Sequence, residues 1–435
     1  MVNSTRHLII LFLLIISLVN KVSSQDEAYY SSGFMKNNNA VYRDNIRTVL
    51  LYKAGFELSP PIIQLRSDEK LVLSFDDLDG DYKQYRYTVV HCDAFWNKSE
   101  LQQIEYIDGY YDDIIDSYNY SFNTMVHYTN YTAVLPNEDL MIKKSGNYIL
   151  RVFLDSDEDD NVVLTQRFMV YEPQVTVEGR IANSVDLDLR YTHHQVSFRI
   201  LGGNYYLSDT YRNLHVIVMQ NGRWDNIIKN VQPRNIIGNE YNYSLIEELA
   251  FPAGNEFRYL DMKTLKYYTD RMVSLQYTAE GYQVYVSPDL PRAGKNYISE
   301  EDINGRKLIA ANDTRDPYSE GDYAWVHFTL SYYPPLIEGN VYVFGALSDW
   351  QYNASNLMQY NYNLRAYEAK LFLKQGYYNY TYAFLPNNEQ VGDLGFIDGN
   401  YWETRDEYTI FVYYRQQGDF YDRLVGLGFL NSLGQ

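Results

Sequence analysis

Cysteine is almost absent from this sequence, since only Cys92 is present among 435 residues. A chain with one cysteine has no internal disulfide bond, so we expect its domains to be held together by core packing alone. The length indicates about two to four domains. A small disulfide-stapled scaffold is therefore excluded.

Positive charge is also scarce. The 37 Lys and Arg residues face 56 Asp and Glu residues, which gives a formal charge of −19. Nucleic-acid phosphates and anionic lipid headgroups both need a basic surface, so this balance predicts no nucleic-acid partner and no electrostatic docking on lipid. It is compatible with a basic protein partner, with metal binding, or with solubility alone.

Long apolar runs are limited to one stretch, Leu8 to Val19, which follows Arg6 and His7. A basic start, a short apolar run and small residues before a cleavage point are typical of a secretory signal peptide, which we predict at residues 1–24. The run is too short for an ordinary membrane span. Because no second run of this kind follows, we expect no direct membrane span.

Familiar catalytic and metal-binding motifs are missing as well. The sequence contains no G-x-S-x-G, no H-E-x-x-H and no glycine-rich phosphate loop. Its seven histidines show no metal-ligand spacing, and the side chains of His193 and His194 diverge if both lie on one strand. We predict no catalytic residue, no cofactor and no metal, although a pair of carboxylates for sugar hydrolysis stays open.

Tyrosine, in contrast, is abundant, with 47 residues. It favours strands that have one wet face. Apolar and polar residues alternate in short runs that are separated by turn residues, which is a pattern typical of strands. We therefore predict an all-β protein made of tandem immunoglobulin-like β-sandwich modules.

Changes in composition predict the module boundaries. A flexible arm at 25–40 is followed by a first sandwich at 41–172 and a second sandwich at 173–290. Residues 291–321 are polar and rich in Pro, Gly and Asn, which is typical of a linker or long loop. The third sandwich is expected at 322–435.

The most unusual stretch runs from Leu71 to Ser99 and contains His91, Cys92 and Trp96, all rare residue types. A cysteine nucleophile needs a base within hydrogen-bond reach. Neighbouring residues of a strand point to opposite faces, so His91 is not expected to activate Cys92. We interpret the three residues as a structural signature, and we expect Cys92 and Trp96 to pack within the first sandwich.

The same stretch holds an acidic turn, with four aspartates between Asp76 and Asp81. An EF-hand calcium loop needs glycine at its sixth position and glutamate at its twelfth. Counted from Asp77, Gly80 comes too early and the twelfth residue is Thr88. An EF-hand is excluded, a solvated turn is the preferred interpretation, and a looser calcium site stays open.

Several long blocks occur in a distinctive order along the chain. They are LSFDDLDGD from Leu73, YTVVHCDAFWNKSEL from Tyr87, EYIDGY from Glu105, SFNT from Ser121, YTNYTAVLPNED from Tyr128, SGNYILRVF from Ser145, QNGRWDN from Gln220, GNEFR from Gly254 and DEYTIFVYYRQQGDFYDRLVG from Asp406. In these blocks the chain resembles the plug protein of the type IX secretion system, a family of the Bacteroidota that was long described as a domain of unknown function. The match runs from about Arg43 to the C-terminus.

This resemblance implies a periplasmic protein that binds the very large outer-membrane translocon barrel of the secretion system. The plug would close the periplasmic mouth of the barrel when no cargo is engaged, and it would associate with the outer membrane only through that partner. Its function would rest on binding, without catalysis.

A weaker resemblance concerns the predicted third module. The run VYVFGALSDW, which ends at Trp350, and the run GYYNY from Gly376 are similar to glycogen-binding-type carbohydrate modules, with Leu347 in place of their phenylalanine. This resemblance makes Trp350 and Tyr378 candidate glycan contacts. An exported carbohydrate-binding protein is therefore the alternative function, and a hydrolase is the third hypothesis.

Overall fold

The computed structural model describes residues 37–432, and strands make up most of the regular structure within them. The all-β prediction is therefore confirmed. The predicted signal peptide at 1–24 and most of the predicted arm at 25–40 lie outside the described residues.

The described end of the predicted arm is fixed to the body of the protein. The Thr165 hydroxyl donates to the Asn38 carbonyl oxygen at 2.8 Å, and Ala40 already pairs with Thr165 in a sheet. Residues 37–40 are therefore not part of a free arm, because these hydrogen bonds hold them in place.

The first unit comprises residues 40–171. Its strands are β1 (Ala40–Val41), β2 (Ile46–Lys53), β3 (Ile62–Gln64), β4 (Leu71–Asp77), β5 (Tyr85–Cys92), β6 (Ile107–Gly109), β7 (Asp113–Ile114), β8 (Ser117–Tyr120), β9 (Thr129–Leu135), β10 (Leu140–Ile142), β11 (Gly146–Leu154) and β12 (Val162–Tyr171). Sheet I has the order β2-β4-β9-β8, and sheet II has the order β1-β12-β11-β5-β7, with β3 parallel to β12. Strands β6 and β10 form a separate pair.

The first core lies between sheets I and II. Alternate residues supply it, including Leu73 and Phe75 from β4 and Tyr87 and Val89 from β5, all of which are buried. Each side chain of this size contributes about 1.5–3 kcal/mol when it leaves water. The alternation of apolar and polar residues in the sequence therefore gives β4 and β5 one apolar face each, and these faces point into the core.

The second unit begins with seven strands. They are β13 (Thr176–Asn183), β14 (His193–Leu201), β15 (Leu214–Gln220), β16 (Ile228–Lys229), β17 (Asn235–Ile237), β18 (Glu240–Asn242) and β19 (Ala250–Pro252). Strands β13-β14-β18-β17 form sheet IV, and β19 pairs with β14. Strands β15 and β16 pair with each other in a different sheet, sheet III. The other strands of sheet III come from later in the chain.

The third unit comes next in the chain. Its strands are β20 (Arg258–Asp261), β21 (Met272–Thr278), β22 (Gly281–Val286), β23 (Lys307–Ile309), β24 (Tyr323–Ser331), β25 (Gly339–Phe344), β26 (Gln359–Asn361), β27 (Ala366–Lys374) and β28 (Gly376–Pro386). Sheet V has the order β21-β22-β24-β27-β26, and sheet VI has the order β20-β28-β23, with β25 also paired to β28. A core of buried residues from both sheets fills this unit.

The last two strands return to the second unit. They are β29 (Glu407–Tyr414) and β30 (Arg423–Asn431). Strand β29 pairs with the whole length of β15, from Leu214 opposite Tyr414 to Gln220 opposite Tyr408. Sheet III is therefore β16-β15-β29-β30, and the second core combines residues of β13 to β16, β18 and β19 with residues of β29 and β30.

Sheets I to IV form a four-layer stack. Sheet II is buried on both faces, because a further apolar cluster lies between it and sheet III. Strand β11 illustrates this arrangement, since eight of its nine residues are buried. Consecutive side chains of such a strand enter two different cores.

The predicted boundaries beyond the first module do not follow these sheets. The predicted second module, 173–290, includes β20 to β22 of the third unit, and the predicted third module, 322–435, includes β29 and β30 of the second. The predicted linker, 291–321, contains β23, which pairs with β28. The third unit is thus inserted between two parts of the second, because strands that are distant in sequence complete sheet III.

The helices are single turns at the edges of these sheets. They are α1 (Gln103–Tyr106), α2 (Thr210–Asn213), α3 (Pro317–Glu320) and α4 (Gly395–Asp398), with 3-10 turns at Asp159–Asn161, Glu247–Leu249 and Ala346–Ser348. Among residues 37–432, no helix has both the length and the apolar character needed to cross a membrane.

Candidate functional site

Strand β5 places His91 and Cys92 on opposite faces of sheet II. The Nε2 atom of His91 lies 3.1 Å from the Ser145 carbonyl oxygen, and burial lowers the pKa of the imidazole to about 4. Cys92 faces sheet III, and burial raises the pKa of its thiol to about 12. At neutral pH both groups are uncharged and separated by the sheet, so they do not form a nucleophile–base pair.

Cys92 and Trp96 pack outside the core in which we expected them. Both belong to the cluster between sheets II and III, together with Ile149 from the first unit and Met219 and Phe411 from the second. The sequence correctly indicates that these side chains are buried, but the strands that cover them come from much later in the chain. We call this layer the apolar interface.

Two tryptophans and an arginine lie at one end of the apolar interface. The rings of Trp96 and Trp224 meet edge to face, with centroids 5.0 Å apart. The guanidinium carbon of Arg167 lies 4.4 Å from the Trp96 ring centroid and 5.2 Å from that of Trp224. Burial lowers the pKa of Arg167 to about 10.

Polar contacts also join the two sides of the same layer. The Tyr413 hydroxyl donates to Asn147 Oδ1 at 2.8 Å, and the amide of Asn147 donates to the Asp93 carbonyl oxygen at 2.9 Å. The backbone N–H of Ala94 donates to the Asp422 carboxylate at 2.9 Å. Blocks that are far apart in sequence, from Tyr87, Ser145 and Asp406, therefore meet here, a convergence that sequence reasoning missed.

A cleft of about 690 Å³ opens beside this layer and is lined by all three units. The first unit contributes Pro60 and Arg167, the second contributes Trp224 and Phe429, and the third contributes Trp350. Ligand pockets in proteins typically have volumes of about 300–1,000 Å³, and this cleft falls within that range. The cleft is the candidate binding site of the molecule.

A second interface joins the first unit to the third through buried charge. The Lys374 ammonium lies 2.6 Å from Asp76 Oδ2, and neither side chain is exposed to solvent. The Tyr323 hydroxyl donates to the same carboxylate oxygen at 2.6 Å. The Asp322 carboxylate accepts the backbone N–H groups of Met125 and Val126 at 2.7 and 3.1 Å, respectively. We call this contact the polar interface.

A family model matches the first unit of this chain. Residues 46–172 match the model described as the Type 9 secretion system plug protein 1st domain. The chain belongs to the type 9 secretion system plug family. This family is a secretion family and not an enzyme family, so the role of the chain lies in type 9 secretion.

Solved structures extend the comparison beyond the first unit. A hypothetical protein from Parabacteroides merdae is 37% identical, with a TM-score of 0.88, and the match covers 92% of this chain and 100% of that one. The C-terminal domain of the antigen I/II-family protein AspA from Streptococcus pyogenes is 8% identical over 88% of this chain and 99% of that one, and its TM-score of 0.15 supports no argument. A comparison of this chain with curated proteins found no match.

The acidic turn of this plug-family chain contains its own counter-ion. Carboxylate oxygens of Asp77, Asp79 and Asp81 lie within 4.8 Å of one another, but the Lys83 ammonium lies 2.8 Å from Asp77 and 3.4 Å from Asp81. Burial acts to raise the pKa of Asp77, and hydrogen bonds from Lys83 and the Asp79 backbone outweigh it, so this pKa is lowered. Lys83 therefore already supplies the positive charge that a cation would bring.

His193 and His194 do not converge on a shared ligand position. The ring nitrogens of His194 lie 2.9 Å from the Tyr408 hydroxyl and 2.7 Å from the Trp402 carbonyl oxygen. His193 instead contacts the Thr192 hydroxyl at 2.9 Å. The two imidazoles serve separate structural contacts, as the strand geometry predicted.

The two candidate glycan contacts have different surroundings. Tyr378 is 2% exposed in the third core, and its hydroxyl donates to the Lys374 carbonyl oxygen. The prediction that Tyr378 contacts a glycan is therefore wrong, because its ring offers no face to solvent. Trp350 lines the cleft but packs edge to face on Phe257 and Phe344.

Proposed function

We propose that this protein is a periplasmic plug that binds the outer-membrane translocon barrel of the type IX secretion system and closes its periplasmic mouth. It would reside in the periplasm and reach the outer membrane only through this partner. The plug would act through contact area and reversible binding, with no catalytic step and no cofactor.

The observation that carries this proposal is the way in which the three units are joined. A channel wide enough for folded cargo leaks small solutes unless a rigid body covers its mouth. The apolar interface and the polar interface both bury side chains between units, and close-packed interiors resist deformation. A body assembled in this way is suited to resist solute flow without opening between its units.

Two measurements test the proposal. The tagged full-length protein is recovered from detergent-solubilised outer membranes of its own host, and the proteins that accompany it are identified by mass spectrometry. We expect a large outer-membrane barrel protein to accompany it, and we expect cells without the plug to admit an otherwise excluded dye. A second tagged periplasmic protein from the same cells controls for chance association. Recovery of the protein always free of any barrel would refute the proposal.

A further inference from the structure

Arg167 is a partly buried cation that lacks a carboxylate partner among residues 37–432. Other arginines in the interior of this chain are paired, as Arg223 is with Asp225 at 2.7 Å and Arg258 is with Asp398 at 2.5 Å. A charge that is removed from water without a counter-charge destabilises the folded state. The arrangement around Arg167 therefore needs an explanation beyond packing.

The guanidinium is held in one orientation with its terminal nitrogens available. Its Nε atom donates to the Asn37 carbonyl oxygen at 2.8 Å, and its guanidinium carbon lies 4.4 Å from the Trp96 ring centroid and 5.2 Å from that of Trp224. Within the described part of the chain, no acceptor binds either terminal nitrogen. A planar guanidinium that presents both of these nitrogens matches a carboxylate in a two-point contact.

Arg167 lines the cleft between the three units, where the other cations already have partners. Arg306 is paired with Glu407, and Lys307 lies 3.0 Å from Asp349. An incoming anion in this cleft therefore finds one unpaired guanidinium, and that guanidinium is Arg167.

The rest of the cleft indicates what else the ligand carries. The formal charge of −19 repels a small free anion, so charge alone does not retain a ligand here. Apolar lining is supplied by Pro60 and Met169 of the first unit, Phe429 of the second and Trp350 of the third. A ligand that fills this space presents apolar groups in addition to its carboxylate.

We infer that the cleft binds a segment of a partner protein that places an internal Asp or Glu side chain against Arg167. An acidic residue inside a segment brings apolar neighbours on both sides, whereas a chain end brings them on one. The inference rests on the cleft alone and does not depend on the plug function.

The test uses three mixtures of acetylated pentapeptides whose flanking positions are drawn from Ala, Leu, Val and Ser. The first mixture has a central Glu and an amidated end, the second has a central Gln and an amidated end, and the third has a central Gln and a free carboxylate end. Binding to the full-length protein is followed by tryptophan fluorescence, to which Trp96 and Trp224 contribute, and by mass spectrometry of the retained peptides.

We expect the central-Glu mixture to bind, and Arg167→Met to weaken that binding by about tenfold or more, since charged hydrogen bonds are lost. Arg199→Met is the matched control, because Arg199 is an exposed arginine paired with Glu178 and Glu240, and it should leave binding unchanged. Equal retention of the Glu and Gln mixtures, selective retention of the free-end mixture, or unchanged binding by Arg167→Met would each overturn the inference.

A stability measurement separates this role from simple packing. If Arg167 awaits an external carboxylate, Arg167→Met removes an unpaired and partly buried charge and raises the thermal midpoint of the free protein. If Arg167 only holds Trp96 and Trp224 together, the same change lowers the midpoint. A lowered midpoint together with unchanged peptide binding would assign Arg167 to packing alone.

Discussion

The apolar interface and the polar interface join the same first unit to different neighbours by different physics. In the apolar interface, residues such as Ile149 and Phe411 interlock between sheets II and III. In the polar interface, Asp76 and Lys374 form an ion pair from which solvent is fully excluded. The first contact gains stability from area removed from water, and the second depends on two charges that neutralise each other.

This difference indicates how each contact should fail. Apolar contacts lose stability in proportion to the volume removed, because the surrounding side chains relax in part. A buried ion pair fails abruptly, because loss of one partner leaves the other charge without compensation. The polar interface should therefore tolerate fewer substitutions than the apolar interface.

The largest expected effect comes from breaking the ion pair on one side. Lys374→Met leaves the Asp76 carboxylate buried without its cation, and we expect this change to lower the apparent unfolding free energy by about 3–5 kcal/mol. The measurement is urea unfolding followed by fluorescence, at 50 mM and at 1 M NaCl. Because salt does not reach a pair with no solvent exposure, the loss should be similar at both concentrations.

Lys370→Met is the matched control on the same strand. Lys370 pairs with Glu280 near the surface, where both side chains are partly exposed, and exposed pairs contribute about 0–1 kcal/mol. If Lys370→Met and Lys374→Met destabilise the protein equally, burial does not distinguish the two ion pairs and the comparison fails.

Acid should act on the other face of sheet II, where His91 packs beside Tyr148 of the first core and meets the Tyr421 ring of the second unit. The unfolded imidazole titrates near 6.5 and the folded one at about 4, so the unfolded state takes up the proton first. The stability from this group is fully present above pH 6.5 and is lost as pH falls toward 4, by about 3 kcal/mol at most.

His91→Gln should flatten this part of the stability profile, and urea unfolding between pH 4 and 8 measures it. Above pH 6.5 the two proteins should show the same slope, which serves as the internal control. A steep loss between pH 6.5 and 4 that persists in His91→Gln would assign the acid sensitivity to other groups.

A moderate effect is expected when the thiol of the apolar interface becomes a hydroxyl. Cys92→Ser buries a more strongly hydrated group among apolar side chains, and we expect a loss of about 1–3 kcal/mol in urea unfolding. Recovery of a barrel protein with the tagged variant should remain as in the wild type. If that recovery is lost while the unfolding midpoint stays unchanged, Cys92 has a functional role that packing does not explain.

The smallest effect should come from Lys83, the cation of the acidic turn. Its partner Asp77 is adjacent to Asp76 in sequence but also accepts hydrogen bonds from Asn45 and Tyr85. Lys83→Met should therefore cost about 1 kcal/mol, and 1 M NaCl should reduce this loss because Lys83 is partly exposed. A loss as large and as salt-independent as that of Lys374→Met would contradict the distinction between buried and rim charges.

Local patterns predicted the strands of this protein well, but they did not predict the partners of those strands. The alternation through β5 placed His91 and Cys92 on opposite faces, and the structure confirms this arrangement. The same alternation could not reveal that β29 covers the Cys92 face, because strand pairing depends on contacts between distant parts of the chain. For the same reason the predicted linear boundary near residue 322 failed.

The sequence predicted even less of the candidate site than of the strand pairing. Trp96, Trp224 and Arg167 come from three separate segments, and nothing in the spacing of these residues indicates that they meet. Tyr378 shows the opposite error, since an aromatic residue in a familiar-looking run became a core residue. Composition identifies side chains that can bind a ligand, but only the fold determines which of them remain accessible.

The sequence by itself determined the all-β class, the absence of disulfide bonds and the blocks that mark the plug family, because these depend on local periodicity, composition and order. Only the tertiary structure decided that the third unit is inserted in the second, that Asp76 pairs with Lys374, and that Arg167 lines a cleft with no carboxylate partner among residues 37–432. A lone cysteine excludes a disulfide bond within the chain wherever it lies, whereas the place at which a side chain is buried depends on which distant strand covers it.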